Sequence, residues 1–239
     1  QPVLVIYNDR VRLDNLLKDI DTGRIVLTKI PSNDSWARDH APITVLIDEE
    51  PVLLDFIFNG WGLKFPADLD NLIPRRLKEK GIFKSRPMRT IHMVLEGGSI
   101  ESDGQGTILT TARCLLSPNR NPGLSKDEIE LKLQQHLGAK RVHWLNHGFL
   151  QGDDTDAHID TLARFCSPSV IAYVHCVDRT DPHFEELKKM ETELRQFRDF
   201  KGEPYRLIPL PMPTPIFSAE GRRLPATYAN FLILNGLVM

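Results

Sequence analysis

Nine residues, Gly152 to Asp160 (GDDTDAHID), hold four aspartates and one histidine. His158 and Asp160 stand two apart, so on an extended strand both side chains would point to the same side. That spacing can set an imidazole and a carboxylate around one small cationic group. The plainer account of such a cluster is a solvated acidic surface. Two upstream segments share its character, Asn33–Asp39 (NDSWARD) and Glu96–Ser99 (EGGS). In the first, Trp36 offers an aromatic wall for a cation and Asp39 a carboxylate. The alternative is a core tryptophan and a surface Arg38–Asp39 pair. Glu96 alternates with Ile91, Met93 and Leu95, so it is expected to face away from them, and Gly97 and Gly98 allow a close approach to the backbone.

Two chemistries fit these residues. One is general acid–base work by His158 while carboxylates hold a cationic substrate. The other is metal ligation, with His143, His147, Asp153 and Asp154 near His158 and Asp160 in sequence. Metal ligation ranks below substrate binding. His143 and His147 are four apart, but on an expected strand and loop, where the shared face of a helix is absent. The glycines form no phosphate-cradling loop, and Ser99 and Ser125 lack the surroundings of a nucleophile.

The elements that must position these groups alternate strand and helix. Val3–Tyr7 and Arg24–Ile30 read as buried strands with a helix over Arg12–Ile20 between them. Ile43–Ile47 and Val52–Phe58 read as a hairpin turning through Asp48–Pro51. Asp68–Lys80 places Leu69, Leu72, Ile73 and Leu77 on one helical face and stops at Gly81. Ile91–Glu96 and Thr107–Thr111 read as strands. Ser125 and Glu128 form a capping box for a helix with Ile129, Leu133 and Leu137 on its apolar stripe. Arg141–Leu145, Ile159–Phe165 and Val170–Cys176 are further strands. Asp181-Pro182 opens a helix carrying Leu187, Met190, Leu194 and Phe197, with Pro182 at its first position. Tyr205–Leu210 and Tyr228–Leu234 close the chain as strands. Helices thus recur every fifty to sixty residues or so with strands between them, which suggests repeated modules within one α/β domain spanning 1–239.

With 239 residues and 41% hydrophobic content, the chain can bury a substantial core. A formal charge of −2 and no basic amphipathic stretch point away from nucleic acid and membrane surfaces. Cys114, Cys166 and Cys176 are odd in number and lack a CxxC, which argues against a disulfide framework and fits a reducing cytoplasm. Cys166 and Cys176 lie on expected strands and read as small buried hydrophobes.

Four segments in order, NDSWARDHAP, LEGGSIESDGQGTILTTARCLLSPNRNP, GDDTDAHID and YANFLILN, resemble the agmatine deiminases and the bacterial-type peptidylarginine deiminases. The resemblance runs from about Asn33 to Asn235. It implies the guanidine-modifying (pentein-like) fold, a cyclic α/β propeller of five strand-and-helix modules, here incomplete at both ends. It also implies metal-free and cofactor-free hydrolysis of a guanidinium to a ureido group and ammonia, with a cysteine thiolate attacking the guanidinium carbon. Asp39 and Asp160 would clamp the guanidinium, His158 would move the protons and Glu96 would support the imidazole. Trp36 and Asp154 would line the pocket towards the distal end of the substrate, and Asn230 matches the family's Asn-Phe motif. Implied partners are a small guanidine or a peptidyl arginine and, for the assembly, a homo-oligomer. The agmatine-specific members usually carry Glu at the position of Asp154 and Gly at that of Ala157, which leaves room for arginine-like substrates. The family's nucleophile lies in a C-terminal module expected beyond Met239, and its N-terminal segment is expected before Gln1. Cys114 falls in the CLLSPNRNP segment, away from the nucleophile's position. Rival readings are a non-catalytic guanidinium- or polyamine-binding protein on the same fold and a metal-dependent hydrolase built on His158 and Asp160.

Overall fold

The computed structural model describes residues 2–234 and 237–239. Gln1, Asn235 and Gly236 lie outside the described residues, and with Asn235 the last position of the YANFLILN segment. The chain divides into two compact units, one of residues 1–60 and 65–93, the other of residues 61–64 and 94–239.

In the first unit, β1 (Val3–Tyr7) pairs parallel with β2 (Ile25–Lys29), and α1 (Arg10–Leu17) connects them. α1 starts two residues earlier than the apolar pattern suggests, because the Asp9 carboxylate caps it by accepting from the backbone of Val11 and Arg12. β3 (Ile43–Ile47) and β4 (Glu50–Ile57) pair antiparallel, with Ile47 opposite Glu50. The turn is therefore Asp48-Glu49 alone, both residues having positive φ (50° and 67°), the backbone that matches the twist of a two-residue hairpin. The expected 68–80 helix is a 3-10 turn, Asp70–Leu72, followed by α2 (Ile73–Glu79), with Gly81 beyond it at φ 72°. Pro74 sits in the first turn of α2, where no intrahelical N–H is lost. Ile73 and Leu77 pack with Ile30 in one core cluster of this unit. β5 (Met88–Val94) lies beside β4.

The second unit repeats one pattern twice, an antiparallel pair followed by a helix and a third strand parallel to its neighbour. β6 (Ile100–Ser102) and β7 (Thr107–Thr111) are antiparallel, and β8 (Arg141–Leu145) joins β7 in parallel after α3 (Lys126–Leu137). β9 (Ala163–Ser167) and β10 (Val170–His175) are antiparallel, and β11 (Arg206–Pro211) joins β10 in parallel after α4 (Phe184–Gln196). The capping box of α3 is present as read, and Gly138 ends the helix at φ 69°. Leu187, Met190 and Leu194 of α4 pack into a core with Leu109, Leu145, Ile159, Ile171 and Val174.

Five expectations are corrected here. β5 ends at Val94, so strand alternation does not reach Glu96, and Glu96 is buried along with Leu95. Ile159–Phe165 is not a strand: a 3-10 turn, Ile159–Thr161, precedes β9. α4 begins at Phe184 rather than Pro182, because the Asp181 carboxylate takes the His183 backbone N–H and ring and holds that stretch as a turn. Tyr228–Leu234 is a strand only at β12 (Ile233–Leu234), paired with β13 (Leu237–Val238). Cys166 is exposed rather than buried. No helix among the described residues is long and apolar enough to cross a membrane.

Candidate active site

The site residues of the first unit hang from one buried carboxylate. Asp70 is fully buried and accepts from the backbone N–H of Asn33 (2.8 Å) and of Asp34 (3.1 Å), while the Asn33 side chain accepts from Leu69 N and Asp70 N. These reciprocal bonds fix the start of NDSWARD. A short helical turn, Ala37–His40, follows with Trp36 at its cap. It buries Asp39 and His40 and leaves Trp36 58% exposed, which removes the core-tryptophan alternative. Burial pushes the His40 imidazole below its usual pKa, against the pull of Asp70, Asp39 and Asp34.

The second unit gathers Glu96, His158 and Asp160, all nearly solvent-free. His158 caps the 3-10 turn that contains Asp160, so the turn rather than strand alternation brings the pair together. His158 Nδ1 is 4.0 Å from Asp160 Oδ1, and His158 Nε2 is 3.9 Å from Glu96 Oε2. The imidazole thus stands between two carboxylates. Burial pushes the Glu96 carboxyl up, but His158 and Arg120 outweigh it and hold Glu96 below the usual carboxylate range. Glu96 is therefore an anion at neutral pH.

The loop leading to His158 is held by its own aspartates. Asp153 accepts from Thr155 N, Thr155 Oγ1 and Ala157 N, so its role is to shape the loop rather than to ligate. Asp156 and Ala157 both sit at positive φ, 65° and 63°. A left-handed pair without glycine stores strain, and it explains why glycine suits the position of Ala157. Thr111 Oγ1 donates to the Ala157 carbonyl at 2.7 Å and ties the strained pair to β7. Of the remaining expected residues, Asp154 and Asn230 are exposed. Burial therefore sorts the seven. Asp39, Glu96, His158 and Asp160 are buried, while Trp36, Asp154 and Asn230 face solvent.

The histidines proposed for a metal are used elsewhere. His143 Nε2 lies 3.0 Å from the Arg198 carbonyl and its ring stacks on Phe197, while His147 pairs with Glu186. Glu96, Cys114 and His158 do bring three donor atoms within 4.8 Å of one another. The Arg120 guanidinium, bonded at 3.0 Å to both oxygens of Glu96, occupies that carboxylate and sets a fixed positive charge beside it, so the trio fits a cation poorly. Cys114 is fully buried, and burial pushes its thiol up, so it meets His158 as a neutral S–H.

A histidine held between buried carboxylates, with a neutral thiol beside it, is an arrangement suited to acid–base chemistry. The model of the Porphyromonas-type peptidyl-arginine deiminase family matches residues 1–239. An agmatine deiminase of Pseudomonas aeruginosa is 35% identical over 246 residues, covering 93% of this chain and 66% of the relative. A solved structure from Porphyromonas gingivalis superposes with a TM-score of 0.95 at 49% identity, covering 100% of this chain and 70% of the other. A Cys-to-Ser variant of C. jejuni agmatine deiminase with substrate bound superposes with a TM-score of 0.91 at 40% identity, covering 100% and 68%. The chain thus spans about two-thirds of the length of these relatives. It belongs to the Porphyromonas-type peptidyl-arginine deiminase family.

Proposed function

We propose that this chain carries the proton-transfer and guanidinium-binding groups of a guanidine deiminase, which hydrolyses the guanidinium of agmatine (to N-carbamoylputrescine) or of an arginine-like substrate to a ureido group and ammonia. The observation that carries the reading is the His158 imidazole set between the buried Glu96 and Asp160 carboxylates. A guanidinium is planar and permanently charged, so carboxylates bind it through paired N–H donors. In this reading Asp39 and Asp160, each buried within its own unit, are the acids assigned to that clamp, and the exposed Trp36, Asp154 and Asn230 are assigned to the distal end of the substrate. A thiolate adds to the guanidinium carbon, and His158 gives a proton to the departing nitrogen as the C–N bond breaks. His158 then takes a proton from water as water attacks the thiouronium and the C–S bond breaks. The five-module propeller implied by the sequence resemblance belongs to the same proposal, and the repeated strand-and-helix units support it.

The thiolate is not drawn from Cys114 or Cys176, both buried with thiol pKa values raised by burial. Cys166 is exposed on β9, past the turn that holds His158 and Asp160. We infer a cysteine outside residues 1–239. That a substrate-bound relative carries Ser in place of a Cys accords with a cysteine nucleophile in the relatives. The test is ammonia release by the complete protein on agmatine, free arginine and arginyl peptides, with and without chelator. Turnover that persists in chelator and vanishes in His158→Ala is expected. Full activity in His158→Ala, or loss of activity to chelator, sinks the proposal.

A further inference from the structure

The side chain of Arg120 is completely buried, yet neither the guanidinium clamp nor the proton transfers use it. Its planar fork is spent on three acceptors. Nε donates to both oxygens of Glu96 at 3.0 Å, Nη1 to Asp156 Oδ2 at 2.7 Å, and Nη2 to the Thr155 carbonyl at 2.8 Å. The first acceptor faces His158 from two residues beyond the end of β5. The other two lie on the loop that enters His158, at and beside the left-handed pair Asp156-Ala157. The neighbouring Asn121 pins Arg120's own segment to the chain beside Glu96, accepting from Val94 N at 3.0 Å and donating to Val94 O at 2.9 Å.

From this geometry we infer that Arg120 is the positioning residue for His158, a single rigid guanidinium that aligns the Glu96 carboxylate and the 155–157 turn with the imidazole between them. The inference rests on the deiminase reading for its kinetic consequence but not for its geometry. The charges around the guanidinium alternate outward. Glu96 and Asp156 are negative, and Lys64 reaches Asp156 Oδ1 at 2.6 Å and the Asp154 carbonyl at 2.7 Å. Asp154, assigned to the distal end of the substrate, is thereby tied to the same network that holds His158. The backbone closes over the pair: a Cβ at Gly62 would stand 3.3 Å from Arg120 Nη1 and 3.6 Å from Asp156 Oδ2. Burial works against the charge on Arg120, and the Glu96 and Asp156 carboxylates bonded to it favour that charge. Lysine offers one point charge and cannot span two segments with fixed directions, so charge alone does not reproduce the arrangement.

The test uses the complete protein with Arg120→Lys, Arg120→Gln and the milder Asp156→Asn, which removes one arm only. Ammonia release should lose ~100-fold or more in kcat in both Arg120 variants, while KM stays within about threefold because Asp39 and Asp160 are untouched. His158 is also titrated by NMR in substrate-free protein. The groups facing the Glu96–His158 pair are Arg120, Cys114, Asp160 and, one step out, Asp156 and Lys64. Removing the one buried cation among them makes the site more negative, so in Arg120→Gln the pair should release its protons at higher pH. If the Arg120 variants fail to fold, Asp156→Asn decides, with a lower kcat at unchanged KM expected. Wild-type kcat and an unmoved His158 titration in a folded Arg120 variant, or wild-type kcat in Asp156→Asn, overturns the inference. A wild-type protein that releases no ammonia from any guanidine overturns the deiminase reading instead, and the NMR titration still tests the positioning role.

Discussion

Glu96→Gln removes one negative charge from the centre of the buried network and changes almost nothing else. The amide keeps the shape and one acceptor for Arg120, and Arg120 keeps Asp156 at 2.7 Å. What is lost is the attraction between Arg120 and a carboxylate at 3.0 Å, both side chains fully buried. At an effective dielectric of 20, two charges about 4 Å apart attract by ~4 kcal/mol. Burying the Glu96 anion carries a desolvation cost that the variant no longer bears, which brings the net loss to about 3 kcal/mol, at the lower edge of what breaking a buried ion pair costs. For a chain of this size that lowers Tm by about 6–12 °C. The pH dependence follows from the depressed Glu96 pKa. A carboxylate whose folded pKa lies below its unfolded one stabilises fully above the unfolded value, near 4.5, and that stabilisation is lost as pH falls through the folded value. Urea unfolding of wild type and Glu96→Gln should therefore differ by ~3 kcal/mol at pH 7, and the gap should close progressively below pH ~4.5. A gap under about 0.5 kcal/mol at pH 7, or one that persists unchanged in strong acid, refutes the electrostatic account of this site.

Two other perturbations test the supports of the His158 loop. Gly152 stands at φ 83°, and a Cβ there would meet the Arg223 carbonyl oxygen at 2.1 Å, so Gly152→Ala combines a left-handed backbone with a clash against main chain. A destabilisation of about 3 kcal/mol is expected by denaturant unfolding, and a variant as stable as wild type would mean that the 223 backbone yields freely. Asp181 accepts from the His183 ring at 2.6 Å and from Arg223 at 2.8 Å, while His183 Nε2 accepts from Gln151 N at 2.8 Å next to Gly152. Burial pushes the Asp181 carboxyl up, but Arg223 and His183 bring it down from 3.8 to about 2. Its contribution, ~2 kcal/mol, is complete above pH ~4 and lost as pH falls towards 2. Asp181→Asn should cost that much at pH 7 and nothing near pH 2, and a cost independent of pH would show that the carboxylate's charge is not what holds the loop.

The motifs that carry local chemistry were legible in the sequence, and those that depend on distant partners were not. The α3 capping box, β7 and β8 emerge as read because a cap, a glycine stop and an apolar period are properties of neighbouring residues. His158, Asp160, Glu96 and Asp39 all proved buried, and the reason for two of them differs from the reading. Alternation on a strand was to align His158 with Asp160, yet a 3-10 turn does so, because the Asp153 carboxylate and the Arg120 guanidinium hold the entering loop in a left-handed bend that a strand could not contain. Ile159, Leu162, Ala163 and Phe165 give the segment the apolar content of a strand, and all four are buried, but apolar content alone does not separate a buried turn from a strand. Arg120 and Asp70 escaped notice for a common reason. Each is a charged residue in a polar stretch, a pattern that normally marks a solvated loop. What distinguishes them is that their partners lie in backbone and side chains brought in from elsewhere, 24 and 36 residues away for Arg120 and 37 for Asp70. A buried charge with a full set of partners leaves no composition signal, and for that reason the residues that position this site were harder to read than those proposed to react in it.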